Sequence, residues 1–234
     1  MQALETALAA SGLCLRGVVL PKTDPITLGT DLKPEQGERV ICLIGHTGGA
    51  FWPVFEAWHE AHPGIADPLD SWSKTVIRPI ADAMGGEAVF PSDRPWQPFQ
   101  QWAMAAEGLK PSPLGLLIHP CYGLWHGYRG AILLGAERSA GEGMRDGVKT
   151  GDVPVTPPLH PCDECAGKPC LSACPVEAFS ASGFAVADCR SHLKTEAGRN
   201  GCMQSGCLAR DACPVGHEYR YSPDQIRFHM AAFG

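Results

Sequence analysis

Nothing in this chain of 234 residues approaches the roughly 20 uninterrupted apolar residues that a bilayer-spanning helix needs. A basic excess is missing as well. The 25 acids against 19 lysines and arginines give a formal charge of -6 with both signs interspersed, so no stripe of cations exists to neutralise a phosphate backbone and nucleic acid is not an expected partner. No G-x-G-x-x-G follows a strand-like run, which removes the dinucleotide fingerprint. The amino terminus, MQALETALAASGL, carries acid where an export signal carries a basic region. These absences together predict a cytoplasmic protein that does not span a membrane.

What is present divides the chain in two. Eight of the eleven cysteines lie between Cys162 and Cys213, whereas all six tryptophans lie between Trp52 and Trp125. The first part can therefore build an apolar core, while the second needs covalent or metal staples. The expected layout is a domain over 1–138, a linker over 139–158 rich in Gly, Pro and charge, and a compact tail over 159–234.

Periodicity fills in the first part. Leu4, Leu8 and Leu13 predict an opening helix, LCLRGVVL a strand, then a turn-rich connection before a second strand, ERVICLIG. GHTGG reads as a tight turn rather than an anion cradle. AFWPVFEAWHEA is helical by the spacing of Phe51, Phe55 and Trp58. DPLDSWSKTVIRPIADAMGG predicts a helix capped by Asp70 or Ser71, with Trp72, Val76, Ile77, Ile80 and Met84 on one face. EAVF is a strand, a helix starts near Pro98, and LGLLIHP and YRGAILLG read as strands. Alternating strands and helices predict a layered α+β or α/β domain.

The strongest chemical signal is CDECAGKPCLSACP, which places Cys162, Cys165, Cys170 and Cys174 before Pro175. A second group, Cys189, Cys202, Cys207 and Cys213, ends in the same Cys-Pro-Val. In a reducing compartment, clustered thiols are better metal ligands than disulfide partners. In bacterial two-cluster ferredoxins the last cysteine of each run ligates the other 4Fe-4S cluster. Applied here, one cluster takes Cys162, Cys165, Cys170 and Cys213, and the other takes Cys174, Cys189, Cys202 and Cys207. The alternative is a pair of four-cysteine zinc sites, which does not account for the repeated Cys-Pro. Cys14 and Cys42 sit in apolar strands and read as small core residues; Cys121 differs only in its neighbours.

The cysteine spacing departs from the simple bacterial run, with four residues between Cys165 and Cys170, and over about residues 160–215 it is similar to the C-terminal ferredoxin-like domain of epoxyqueuosine reductase and of corrinoid reductive dehalogenases. A second, shorter resemblance lies upstream. HPCYGLWHGYRG resembles the His-Pro-x-aromatic-Gly-x-Trp-x-x-x-Arg-Gly stretch of CblC-type cobalamin-processing proteins, matched at His119, Pro120, Tyr122, Gly123, Trp125, Arg129 and Gly130. Those proteins have a nitroreductase-like fold. The resemblance implies a nitroreductase-like α/β layer followed by a ferredoxin-like domain, with cobalamin held by His119, Tyr122, Gly123, Trp125, His126, Tyr128 and Arg129. Aromatic walls, close glycine backbone and an arginine suit a flat macrocycle fringed by amides.

The function so implied is an oxidoreductase of the cobalamin-reductase type. An external donor such as a flavodoxin, a ferredoxin or a reductase passes electrons through two clusters to cobalamin, reducing its cobalt with loss of the upper ligand. Two other readings stay open. One is a cobalamin-dependent substrate reductase, for which Asp67, Asp70, Asp93 and Tyr122 are candidate acids. The other is an electron carrier that binds no corrinoid, in which His119 is a hydrogen-bonded structural residue and Arg129 pairs with Asp67, Asp70 or Asp93.

Overall fold

Two strings of aliphatic residues take the centre of the main sheet because both of their faces must be covered. In the computed structural model, which describes residues 1–20, 39–135, 160–180 and 183–234, these are β2 (Arg39–Thr47), buried at every position except its ends, and β6 (His126–Gly135), buried from Gly130 to Leu134. The order is β1-β2-β6-β3. β1 (Cys14–Val19) runs antiparallel to β2, and its register breaks between Leu15 and Gly17. β3 (Glu87–Val89) runs antiparallel to β6. The expected linker at 139–158 and the turn-rich connection after Leu20 lie outside the described residues.

The helices follow the predicted periodicity with one shifted start. α1 (Gln2–Ala9) buries Leu4 and Leu8, and α2 (Trp52–Ala61) buries Trp52 and Phe55. α3 (Pro68–Ala83) begins after Asp67 in the left-handed region at φ 46°, not at a cap on Asp70 or Ser71. Pro68 explains the earlier start, since its fixed φ and absent N–H suit a first turn. The face of α3 that is buried is Trp72, Ser73, Ile77 and Ala81. Trp72 lies 5.5 Å from the ring of Phe51 and 5.7 Å from that of Phe55. α4 (Phe99–Glu107) closes on Gly108 at φ 67°, a conformation glycine adopts without strain.

Within this core sits a polar knot. Arg16 meets Glu107 at 2.8 Å with side-chain exposures of 3% and 9%, and also donates to the His46 carbonyl at 2.9 Å. The Tyr128 hydroxyl donates to the other Glu107 oxygen at 2.6 Å. Burial, and then the Glu107 charge, push the Tyr128 phenol up.

The contacts divide the described residues differently from blocks at 1–138 and 159–234. Met1–Gly108 and the stretch from Gly127 form one compact unit; Leu109–His126 groups with the cysteine-rich tail as the other. LGLLIHP forms only a two-residue strand, β5 (Leu117–Ile118), which pairs with β4 (Lys110–Pro111) in a sheet of its own. Leu114, Ile118 and Leu124 bury their side chains with Cys170, Ala209 and Cys213, which is why this stretch belongs to the tail.

The tail is made of short pieces. These are α5 (Pro161–Glu164), a 3-10 turn (Pro169–Leu171), the hairpin β7 (Phe179–Ser180) and β8 (Gly183–Phe184), α6 (Val186–Leu193), α7 (Glu196–Asn200), α8 (Cys202–Ser205), α9 (Leu208–Asp211) and a closing α10 (Pro223–Phe233). Ser222 caps α10 by accepting from the Gln225 N–H. The whole is mixed α+β, and among the described residues no helix is long and apolar enough to cross a membrane.

Candidate functional site

Short helices and turns present the eight tail cysteines from different directions. Cys162 stands in α5, Cys170 in the 3-10 turn that follows a left-handed Lys168, Cys189 in the middle of α6, Cys202 at the start of α8, and Cys207 just before α9. Their electrostatics sort them into two groups. Burial pushes the Cys162 thiol up, and the like charges of Cys213, Cys170 and Cys165 push it further, against Lys168. Cys170 is raised by burial and then by Cys213 and Cys165. Cys189 is raised by burial and then by Cys207, Cys174 and Cys202. Cys202 is raised by burial and by Cys207 and Cys174. Cys213 is thus a neighbour of the first run and Cys174 a neighbour of the second, so each run gives its last cysteine to the other group.

Both quartets surround space. Cys162, Cys165, Cys170 and Cys213 line a cavity of about 20 Å³ with Ile118, Leu124, Lys168 and Pro214. Cys174, Cys189, Cys202 and Cys207 line a second, of about 240 Å³ and open to solvent, with Phe179, Phe184, His192 and Phe233. Among the described residues no group of three or more His, Cys, Asp or Glu side chains is placed to hold a single metal ion. Backbone donors face the sulfurs: the Ala178 N–H reaches Cys174 Sγ at 3.4 Å, the N–H groups of Cys170 and Leu171 favour the Cys170 thiolate, and those of Leu208 and Cys202 favour that of Cys202. Such donors lower the cost of concentrating negative charge.

The stretch around Gly123 secures the first quartet. A Cβ built on Gly123, at φ 55°, would stand 1.9 Å from the Val215 carbonyl oxygen, and one on Gly216 would stand 2.3 Å from the Tyr122 carbonyl carbon. The two backbones touch where only glycine fits, directly after Cys213 and Pro214. Trp125, 3% exposed, packs edge-on against Tyr221 at 5.2 Å and under the Arg210 guanidinium at 4.3 Å. Arg210 also donates to the Leu124 carbonyl at 2.5 Å.

The seven residues expected at a corrinoid are accordingly engaged with protein. His119 Nδ1 accepts from the N–H groups of Cys121 and Tyr122 at 3.0 and 3.1 Å, and its ring stacks on Tyr122 at 4.1 Å. Tyr122 meets Tyr219 edge-on at 4.8 Å, and His126 Nε2 lies 3.1 Å from the Leu117 carbonyl. Tyr128 and Arg129 belong to the sheet unit instead, where Arg129 donates to the Tyr128 carbonyl and stands 3.8 Å from Asp70. Asp93, another candidate acid, pairs with Lys74 at 2.5 Å. None of the seven is among the residues that line these two cavities.

Cys42 is fully buried and Cys14 half-buried, as expected of core thiols, while Cys121 is exposed. Sequence reasoning missed Arg210, Tyr219 and Tyr221, which pack on Trp125 and Tyr122. Their one signal was a glycine directly after each partner motif, Gly123 after His-Pro-Cys-Tyr and Gly216 after Cys-Pro-Val. No protein-family profile matches the sequence, and no curated protein matches it either.

Proposed function

We propose that this chain is an electron-transfer protein carrying two 4Fe-4S clusters, one held by Cys162, Cys165, Cys170 and Cys213 and the other by Cys174, Cys189, Cys202 and Cys207. When bound, each cluster supplies one-electron redox chemistry. The observation that carries the reading is that Cys213 lines the first cavity with Cys162, Cys165 and Cys170, while Cys174 lines the second with Cys189, Cys202 and Cys207. The protein's own residues exclude water with Ile118 and Leu124 and aim backbone N–H groups at the sulfurs.

Chain purified without oxygen should hold about eight irons and eight sulfides; zinc in their place would overturn the proposal. The cobalamin chemistry implied by the shorter resemblance draws no support from the positions of His119, Trp125 and Arg129, so we propose electron carriage without it. Hydroxocobalamin added to the holoprotein should give a purely additive spectrum, and shifted bands or co-elution would reinstate the corrinoid.

A further inference from the structure

The two cavities differ in what surrounds their openings. The first is walled by the buried Ile118 and Leu124, 1% and 3% exposed, and its exposed lining residues are Lys168, Pro169 and Pro214, with no large apolar side chain among them. The second is walled by side chains left open to solvent: Leu116 at 47%, Phe184 at 38% and Phe233 at 37%. Phe184 stacks on Phe179 at 4.6 Å and lies 6.3 Å from Phe233. Val186, 44% exposed, opens the helix that carries Cys189. An apolar patch contributed by several elements around one redox site is what a protein partner covers.

The rim of this patch is cationic. The Arg190 guanidinium stands 5.9 Å from the Phe233 ring, His192 lines the cavity, and Lys194 is exposed one turn beyond Arg190. From 183 to 200 there are three Lys or Arg (Arg190, Lys194, Arg199) and two acids (Asp188, Glu196), a net of 3 - 2 = +1 in a chain of formal charge -6; Arg210 is packed over Trp125 and Tyr221, and Glu177 lies outside that stretch on the Cys174 side. An acidic partner is repelled by the chain as a whole and attracted here, which orients its approach.

Resting on the two-cluster reading, we propose that the mouth of the second cavity is the docking surface for a small acidic electron-carrier protein. On docking, one electron leaves the reduced carrier and this chain gains one; no bond forms or breaks.

The test measures binding of an oxidised acidic flavodoxin, as probe, to the oxidised holoprotein by calorimetry at low and high salt. Binding should weaken at least about tenfold on adding salt, and the double variant Arg190→Glu with Lys194→Glu should weaken it by a similar factor and flatten the salt dependence. Val186→Ala, which leaves charge alone, should weaken it about threefold or more. Both variants should keep the iron content and the bleaching by dithionite of the parent protein. Iron absent from the parent overturns the underlying reading. Iron present with no binding, or with binding indifferent to salt and to both variants, overturns this proposal alone, and a dimer in gel filtration that Val186→Ala dissolves gives the face to a second copy of the chain.

Discussion

Cys42 and Cys202 are both buried thiols, 0% and 6% exposed, and they serve opposite ends. Cys42 lies in the central strand of the sheet unit, between Ile41 and Leu43, and burial pushes its thiol up to about 11. It is held protonated as a small apolar side chain. Cys202 is raised by burial too, but Cys207 and Cys174 crowd it, the Leu208 and Cys202 N–H groups favour its thiolate, and it lines a cavity. Burial alone therefore does not separate a structural cysteine from a ligand. Company does: aliphatic neighbours in one region, like-charged neighbours and backbone donors in the other.

The largest effect that would break this contrast is expected from Cys213→Ser. Cys213 joins the first quartet from the second cysteine run, so on the two-cluster reading its loss removes one ligand and also the tie between the two runs. Iron should fall from about eight to about four per chain, and the tail should become protease-sensitive, because metal-binding free energy in such modules is folding free energy. Cys42→Ala should leave the iron content untouched. Equal iron loss from both substitutions would erase the distinction drawn between the regions.

Gly123→Ala is expected to come next. The new methyl meets the Val215 carbonyl and also imposes a side chain on a left-handed residue. The backbone term costs about 1–2 kcal/mol, and overpacking about 1–3 kcal/mol more. Since the displaced turn follows Cys213, the first cluster should be lost preferentially, leaving an electron paramagnetic resonance signal from one cluster instead of two interacting ones. A corrin-wall role for Gly123 predicts instead that both clusters persist.

That substitution also marks where sequence reading ran out. The grouping of the tail cysteines was expected from the doubled Cys-Pro-Val, and the same two sets of four line the two cavities. The sheet unit was legible because long runs such as the one in β2, and the apolar stripe of α3, carry a period. LGLLIHP was not, since a short apolar run looks the same whether it joins the main sheet or, as β5, covers a cavity beside Cys213. The tail helices that carry ligands are four to eight residues long, too short to show a period. The partners of Trp125, namely Arg210, Tyr221 and Arg220, are distant in sequence and carry no motif.

The sheet unit should respond to a different insult. Arg16→Met leaves Glu107 buried with the Tyr128 hydroxyl but without its cation. Uncompensated buried charge costs about 3–5 kcal/mol, so chemical unfolding of this unit, followed by tryptophan fluorescence, should shift markedly while iron content holds. Adding Glu107→Leu to Arg16→Met should recover part of the loss.

The smallest expected effect isolates the protonated thiol itself. The Cys42 thiol has an ordinary value of 9.0 and stands at about 11 in the folded chain. Above pH 9 the unfolded chain releases a proton that the folded chain keeps, so stability is intact below that point and declines as pH rises towards 11. Two units correspond to at most about 2–3 kcal/mol. Cys42→Val replaces the thiol with an apolar side chain that does not titrate, and should remove this part of the alkaline decline. The raised Tyr128 phenol adds its own decline above the ordinary tyrosine range, so Tyr128→Phe serves as the second arm. If Cys42→Val leaves the slope between pH 9 and 11 unchanged, Cys42 is not held as a neutral core thiol, and the contrast between the two kinds of buried cysteine loses its structural half.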